Sequence, residues 1–141
     1  MMTRTMAAAA LLGLASVLAG CTSDAEFDSD APITTAASDY AQFCADCHGT
    51  KGRGDGAAAA SVTPRPADLT TISRRNGGTY PRLQVMNRIY GYTMGASDSP
   101  MPAFGPLLEG KTVLFDAGDG IETPTPWRLV ALQDYVERMQ R

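Results

Sequence analysis

The residues best suited to chemistry stand in one short run, Cys44-Ala-Asp-Cys-His48. A Cys-x-x-Cys-His run is the attachment signal for haem c. Residues three apart on a helical turn share one face, so the thiols of Cys44 and Cys47 can reach the two vinyl groups on one edge of a porphyrin. The imidazole of His48 then lies beneath the ring, where it can bind the iron. The run therefore predicts one covalently attached haem c.

Three other interpretations of this run explain less of it. A redox dithiol normally follows a strand in a βαβ pattern, and the sequence shows no such pattern. A zinc site would need further Cys or His ligands, whereas the chain has three Cys and one His, and the third Cys has a separate assignment below. A structural disulfide between Cys44 and Cys47 would leave His48 unexplained.

The second axial position of the iron has few candidate ligands. The chain has one His, so a methionine thioether, water or no ligand remains. Three of the seven methionines fall in the leader segment described below. Met139 lies near the end of the last predicted helix, and Met86 falls in an apolar helical run where a core role is expected. Met94 and Met101 remain as candidates.

The surroundings of Met101 favour it over Met94. Pro100 and Pro102 flank it, so the backbone dihedral φ is restricted on both sides, and a residue before proline is itself held extended. A stiff loop suits a thioether, which is a weak ligand and must be held at the iron by the chain. Met101 is therefore the predicted distal ligand, with Met94 or an open iron as the alternatives.

These segments resemble a bacterial class I c-type cytochrome over about residues 37–141. The resemblance rests on Cys44–Gly56, Pro64–Thr70, Pro100–Gly105 and a final amphipathic helix. It implies an all-α, class I cytochrome c fold, in which three to five helices wrap around one covalently bound haem and the N- and C-terminal helices cross.

The resemblance also implies roles for two further positions. In that family the Met of a Met-Pro motif is the distal iron ligand, which corresponds here to Met101. A Pro carbonyl downstream of the attachment motif accepts a hydrogen bond from the His ring nitrogen that faces away from the iron, and this bond orients the ring. Pro66 is the expected residue for the support of His48, with Pro64 as the alternative.

Helix signals place the elements that must position these residues. Ser38 or Asp39 is expected to cap a first helix that continues to Cys47, with Asp39 and Asp46 exposed. Thr79 reads as the start of a second helix, which ends at Gly91.

The last helix is expected to open with a capping hydroxyl from Thr125 and a proline, Pro126, at its first position. Phe43 is expected to contact Trp127 or Tyr135 across the two terminal helices. No strand is predicted, and the run from Thr112 to Phe115 is interpreted as an extended loop or a helix end.

The first 39 residues are expected to be a signal peptide followed by a flexible tether. Residues 1–20 have one charge, a 15-residue apolar run and a small-residue end, as in a secretory signal peptide, and the run is short for a bilayer span of about 20 residues. Leu18-Ala-Gly-Cys21 resembles the bacterial lipoprotein box, so Cys21 is the predicted lipidation site. Residues 21–39 then form a lipidated, acidic, flexible tether, and residues 40–141 form the cytochrome domain. This predicts a lipid-anchored protein on the periplasmic side of a bacterial membrane.

Charge is unevenly distributed in the predicted domain. Residues 51–88 contain seven basic and two acidic residues, whereas residues 98–134 contain six acidic and two basic residues. Such a separation steers docking more than it adds affinity. The basic region directly follows the attachment motif in sequence, so an acidic redox partner is expected to dock there. Redox proteins, with a membrane oxidoreductase as donor or acceptor, are the expected partners, and neither nucleic acid nor a small-molecule substrate is expected.

The predicted function is one-electron transfer. Iron bound by His48 and Met101 has no free position for a substrate, so an enzyme acting alone is not expected. An electron-transfer subunit of a larger oxidoreductase has the same sequence form and stays open as an alternative. A gas or redox sensor needs an exchangeable distal ligand and usually an output domain, for which 141 residues leave no room.

Overall fold

The computed structural model describes residues 35–92 and 99–141. The chain divides into two units, Met1–Ala31 and Pro32–Arg141, and all the described residues belong to the second. The predicted leader, Cys21, most of the predicted tether and Met94 lie outside the described residues. Within the two described ranges, no helix combines the length and the apolar character that crossing a bilayer requires.

The described part consists of short helices and one hairpin. Its α-helices are α1 (Ala36–Phe43), α2 (Ala45–His48), α3 (Ile72–Arg75), α4 (Arg82–Tyr90), α5 (Gly105–Leu108) and α6 (Trp127–Glu137). Single 3₁₀ turns lie at Ala59–Ser61 and Leu69–Thr71, and the strands are β1 (Thr112–Asp116) and β2 (Glu122–Pro126). The helical character is as expected for a cytochrome c fold. The expected three to five helices were too few, because three four-residue segments count as helices of their own.

The hairpin corrects the expectation that the chain has no strand. β1 and β2 pair antiparallel, with Leu114 opposite Pro124 and Asp116 opposite Glu122. Two prolines, Pro124 and Pro126, argue against a strand in sequence because proline cannot donate a ladder hydrogen bond. A two-stranded sheet has only edge strands, and prolines are tolerated there.

The first helix begins earlier than predicted. Thr35 is its N-cap, and the Thr35 side chain accepts a hydrogen bond from the amide of Ser38. Neither Ser38 nor Asp39 therefore caps the helix, and the expected start of the domain at Tyr40 falls inside α1.

Asp39 also corrects an expectation, because it is buried rather than exposed. Its side chain is 1% exposed and pairs with Arg128 of α6, whereas Asp46 is exposed as predicted. A buried carboxylate needs such a partner, because desolvation of an unpaired charge is costly.

The two long helices after the motif begin without side-chain caps. Pro81 and Pro126 occupy the cap positions of α4 and α6, so α4 begins later than the start predicted at Thr79, and the capping role predicted for Thr125 was wrong. Thr125 instead donates its hydroxyl to the Thr123 carbonyl within β2. Gly91 ends α4 in a left-handed conformation, with φ 107°, as the sequence predicts.

The core lies between α1, α4, α5 and α6. Its buried apolar side chains are Tyr40, Cys44, Met86, Ile89, Leu108, Leu129, Leu132 and Val136. The core role predicted for Met86 is confirmed, since the residue is 6% exposed. The ring that lies against Tyr135 is that of Tyr40, 5.2 Å away between centroids, rather than that of Phe43. Phe43 packs on Phe104 instead, with centroids 5.9 Å apart.

Candidate functional site

The Cys44–His48 run forms one turn of helix at the end of α1. Cys44 is both the C-cap of α1 and the N-cap of α2, and its carbonyl accepts hydrogen bonds from the amides of Cys47 at 3.2 Å and His48 at 2.8 Å. Residues three apart on such a turn share a face, so both thiols are available on one side. The two thiols are not joined in a disulfide.

The His48 ring is oriented by a main-chain carbonyl. Its Nδ1 lies 2.9 Å from the carbonyl oxygen of Ala67. A carbonyl can only accept, so Nδ1 carries the proton and donates, and Nε2 retains a free lone pair. This is the tautomer that a metal-binding imidazole needs, with the ring held by its other nitrogen.

The residue predicted to support His48 was off by one position. Pro66 was expected, but its carbonyl oxygen packs against Gly54, so closely that a Cβ on Gly54 would overlap it. The next carbonyl along the chain, that of Ala67, is the one that faces the imidazole. The support is therefore main-chain as expected, from the neighbouring residue.

A glycine-rich loop wraps the motif turn, and these glycines are site residues that the sequence analysis missed. The amides of Gly54 and Gly56 donate to the carbonyls of His48 and Cys47, at 2.8 and 3.2 Å. A Cβ on Gly56 would overlap the carbonyl oxygen of Asp46. Glycine is required there because only a residue without a side chain allows two backbones this close. The dense spacing of glycines after His48 was the signal for this contact.

Tyr40 connects the core to the same loop. Its buried hydroxyl donates to the carbonyl of Gly49 at 2.7 Å. Burial, followed by the nearby ionisable Cys44, raises the pKa of Tyr40 well above its usual range. The phenol therefore stays protonated and remains a donor across ordinary pH.

The two cysteines sit at the boundary between core and surface. Cys44 belongs to the buried cluster, and burial raises the pKa of its thiol to about 12. Cys47 is half-buried. Cys44 would therefore join an apolar group from within the core, and Cys47 would join it from nearer the surface.

Met101 lies on a separate segment that is fastened to α4. It is half-buried and packs against the core cluster, whereas Pro100 and Pro102 are exposed. The Met101 amide lies 3.4 Å from the Ser99 hydroxyl. Just after it, the Phe104 amide donates to the Ile89 carbonyl of α4 at 2.9 Å. The alternation of exposed prolines and an inward methionine is the arrangement a thioether ligand needs.

The donor set fits a covalently held haem. It contains two thiols on one turn, an imidazole with a free Nε2 and an inward thioether from another segment. No group of three or more His, Cys, Asp or Glu side chains that could hold a metal ion occurs among residues 35–92 and 99–141, so this part of the chain offers no zinc cluster.

Two cavities in the described part of the chain lie elsewhere. One, of about 330 Å³, separates α4 from the hairpin, and its walls include Met86, Phe115 and Leu129. The other, of about 380 Å³, lies beside the loop from Asp55 to Arg65. Neither cavity is lined by Cys47, His48 or Met101, so neither is part of the candidate haem site.

One comparison with known protein families finds a match that covers the candidate site. The model of the family described as cytochrome c matches residues 34–112, more than half of the chain. This span contains the Cys44–His48 run, Ala67 and Met101, and it stops at the first residue of β1. No curated protein and no solved structure matches the chain.

Proposed function

This chain belongs to the cytochrome c family, and from that premise we propose that it is a one-electron carrier with a single haem c. The family implies covalently bound haem c and electron transfer through it. In the proposal, Cys44 and Cys47 form the two thioether links, and His48 and Met101 are the axial ligands. The finer assignment, a bacterial class I cytochrome with crossed terminal helices, is part of the same proposal.

The hydrogen bond from His48 to Ala67 is the observation that carries this proposal. It commits the proton to Nδ1 and leaves Nε2 for the iron. The same imidazole stands one residue after Cys47 on the attachment turn. Attachment and axial ligation are thus set by one rigid turn and one carbonyl.

In the proposal, Met101 would hold the iron as its second protein ligand. Its segment is fixed to α4 through Phe104, and its flanking prolines face solvent. A bound haem supplies an iron that gains and loses one electron. With His48 and Met101 both in place, the chain leaves no coordination position for a substrate, which favours a carrier over an enzyme.

The exposed basic residues beside the motif support an acidic redox partner. Lys51, Arg53 and Arg65 are exposed on the loop that follows His48. Opposite charges on two partners increase the association rate, and salt screens that effect. We expect electron transfer with a membrane oxidoreductase to slow as salt is added, and a rate independent of salt would refute this docking site.

The proposed location is the periplasmic side of a bacterial membrane. The apolar leader and the Leu18–Cys21 run support export, followed by lipidation of Cys21. Replacement of Cys21 by Ser would release the protein from the membrane fraction if the lipid holds it there.

The spectrum of the exported protein tests the iron ligands directly. We expect a low-spin spectrum with a sulfur-to-iron charge-transfer band, and no change when carbon monoxide is added to the reduced protein. Met101→Ala should abolish the band and allow carbon monoxide to bind, whereas Met94→Ala should do neither. A colourless protein with two alkylatable thiols at Cys44 and Cys47 would refute the proposal altogether.

A subunit of a larger oxidoreductase is the second candidate, and the hairpin favours it. Leu114 and Ile121, both in the hairpin, are 64% and 62% exposed, and apolar side chains exposed on one element are common at protein interfaces. Affinity purification from the native membrane separates the two functions, because a subunit would elute with stoichiometric partners and a carrier would elute alone.

A further inference from the structure

Arg128, the second residue of α6, joins three segments of the described fold. Its Nε and Nη2 donate to the two carboxylate oxygens of Asp39 on α1, at 3.0 and 2.6 Å. Its Nη1 donates to the carbonyl of Leu107 in α5 at 2.7 Å. Its guanidinium carbon lies 6.0 Å from the centroid of the Phe43 ring. One planar group therefore contacts α1 and α5 from α6.

The contact with α5 leads directly to the segment that contains Met101. Leu107 and Phe104 lie within six residues of Met101, and α5 is a single turn of four residues. A turn this short has carbonyls without partners of their own, and Arg128 supplies a donor to one of them. The Phe104 ring packs on Phe43, which the same guanidinium approaches.

The Asp39 side of the contact holds the guanidinium in place. Asp39 is 1% exposed, and the Arg128 side chain is 20% exposed. Both carboxylate oxygens are engaged, which fixes the plane of the guanidinium as well as its position. The donor aimed at Leu107 is therefore oriented by a carboxylate on a different helix.

We propose that Arg128 is a positioning residue for the Met101 ligand. Through the Leu107 carbonyl and the paired Phe43 and Phe104 rings, it holds the Met101 segment at the distance from α1 that the thioether requires. This inference rests on the proposed function, in which Met101 binds the iron. A thioether is a weak ligand, so its occupancy depends on how firmly the chain presents it.

The test compares variants of the exported, haem-loaded protein. Arg128→Gln removes all three contacts, and the double variant Asp39→Asn/Arg128→Gln removes them without leaving a buried, unpaired carboxylate. Asp39→Asn alone keeps the donor to Leu107. The matched control is Arg82→Gln, because Arg82 forms a two-bond ion pair between α4 and α6, both bonds at 2.9 Å, and its guanidinium donates to Glu137 rather than to the Met101 segment.

The measured quantities are the sulfur-to-iron band and the carbon monoxide affinity of the reduced protein. We expect the double variant to lose most of the band and to bind carbon monoxide at concentrations that leave the spectrum of the unmodified protein unchanged. Asp39→Asn should show a smaller change, and Arg82→Gln should match the unmodified protein. Arg128→Lys should be intermediate, because one ammonium cannot reproduce the planar set of donors.

Two outcomes would overturn the inference. If Arg128→Gln and the double variant lower the melting temperature but keep the band and stay closed to carbon monoxide, Arg128 only stabilises the fold. If Arg82→Gln opens the iron equally, the effect is general loosening of α6. If Arg128→Gln yields no haem-loaded protein, the same two measurements on Arg128→Lys and on the double variant show whether Arg128 positions Met101 or only stabilises the fold. Failure of the proposed function is distinguishable, since the unmodified protein would then itself lack the band or bind carbon monoxide.

Discussion

The loop of residues 49–68 and the hairpin of residues 112–126 are built in different ways. The loop is held by hydrogen bonds to other segments, such as Gly54 and Gly56 to the motif turn, and two of its glycines, Gly52 and Gly54, are buried. The hairpin bonds mainly to itself: Asp116 accepts from the amides of Gly118, Asp119 and Gly120. Glycine in the loop permits close approach of two backbones, whereas in the hairpin turn it permits positive φ in open space.

Because of this difference, the candidate site should depend on the backbone of the loop and should tolerate changes in the hairpin. The loop presents the Ala67 carbonyl to His48, so a shift of its backbone would change the tautomer and the position of the proposed iron ligand. The hairpin supplies none of the proposed haem contacts, and the family match ends where it begins. We therefore expect equal substitutions in the two regions to have unequal effects.

Glycine-to-alanine substitutions should give the largest difference in stability loss between the loop and the hairpin. Gly56→Ala should lower the free energy of unfolding by more than about 3 kcal/mol, because its Cβ would overlap backbone that cannot move aside. Gly120→Ala has open space around it and φ 78°, so it should cost only about 1 kcal/mol of left-handed strain. Urea unfolding of the haem-loaded proteins measures both, and equal losses would remove the distinction between the regions.

Removal of two tyrosine hydroxyls, one buried and one exposed, should give a smaller difference in the loss of unfolding free energy. Tyr40→Phe removes a buried bond to the Gly49 carbonyl, which still accepts from the Gly52 amide at 3.0 Å. The loss should be about 1 kcal/mol. Tyr90→Phe removes an exposed bond to Glu109 and should cost less than about 0.5 kcal/mol.

The tyrosine contrast also has a pH signature. The folded-state pKa of Tyr40 lies above its unfolded value near 10, so its stabilisation is complete below pH 10 and is lost as the pH rises through the folded pKa. Unfolding free energies measured against pH should fall above pH 10, and Tyr40→Phe should reduce that fall. An unaltered alkaline slope in Tyr40→Phe would contradict the buried hydrogen bond.

The smallest effects should come from two carboxylates whose pKa values are lowered. Hydrogen bonds from backbone amides, that of Gly118 first, lower the pKa of Asp116 in the hairpin turn, and a hydrogen bond from the Thr70 side chain is the main cause of the lowered pKa of Asp68. A carboxylate whose pKa is lower in the folded state stabilises the fold at pH values above the unfolded pKa of about 3.9. That stabilisation is lost as the pH falls through the folded pKa. Asp116→Asn and Asp68→Asn should each weaken the acid dependence of unfolding, and carboxyl chemical shifts should show both groups titrating below that value. Of the two, only Asp68→Asn is expected to alter the haem spectrum.

Local spacing predicted the attachment turn well. The positions of Cys44, Cys47 and His48 on one turn depend on neighbours within four residues, and the end of α4 at Gly91 depends on the conformation of that glycine alone. Such features are set by the chain nearby, so the sequence is sufficient for them.

Features that depend on distant partners were harder to predict. Asp39 looked like an exposed residue of the first turn, but its partner Arg128 lies 89 residues further along the chain. The choice of Ala67 over Pro66 depends on how residues 49–66 fold back on the motif, and the strand pairing of β2 was concealed by Pro124 and Pro126. In each case the deciding contact is not encoded within a short window of sequence.

The acceptor for His48 has a consequence for how this protein tolerates genetic change. Every amino acid has a backbone carbonyl, so no replacement of Ala67 deletes the group that binds Nδ1. Insertion or deletion of a single codon between His48 and Ala67 would instead bring a different carbonyl to the ring, or none. The site should therefore be robust to missense variation at position 67 and vulnerable to changes in the length of the loop before it.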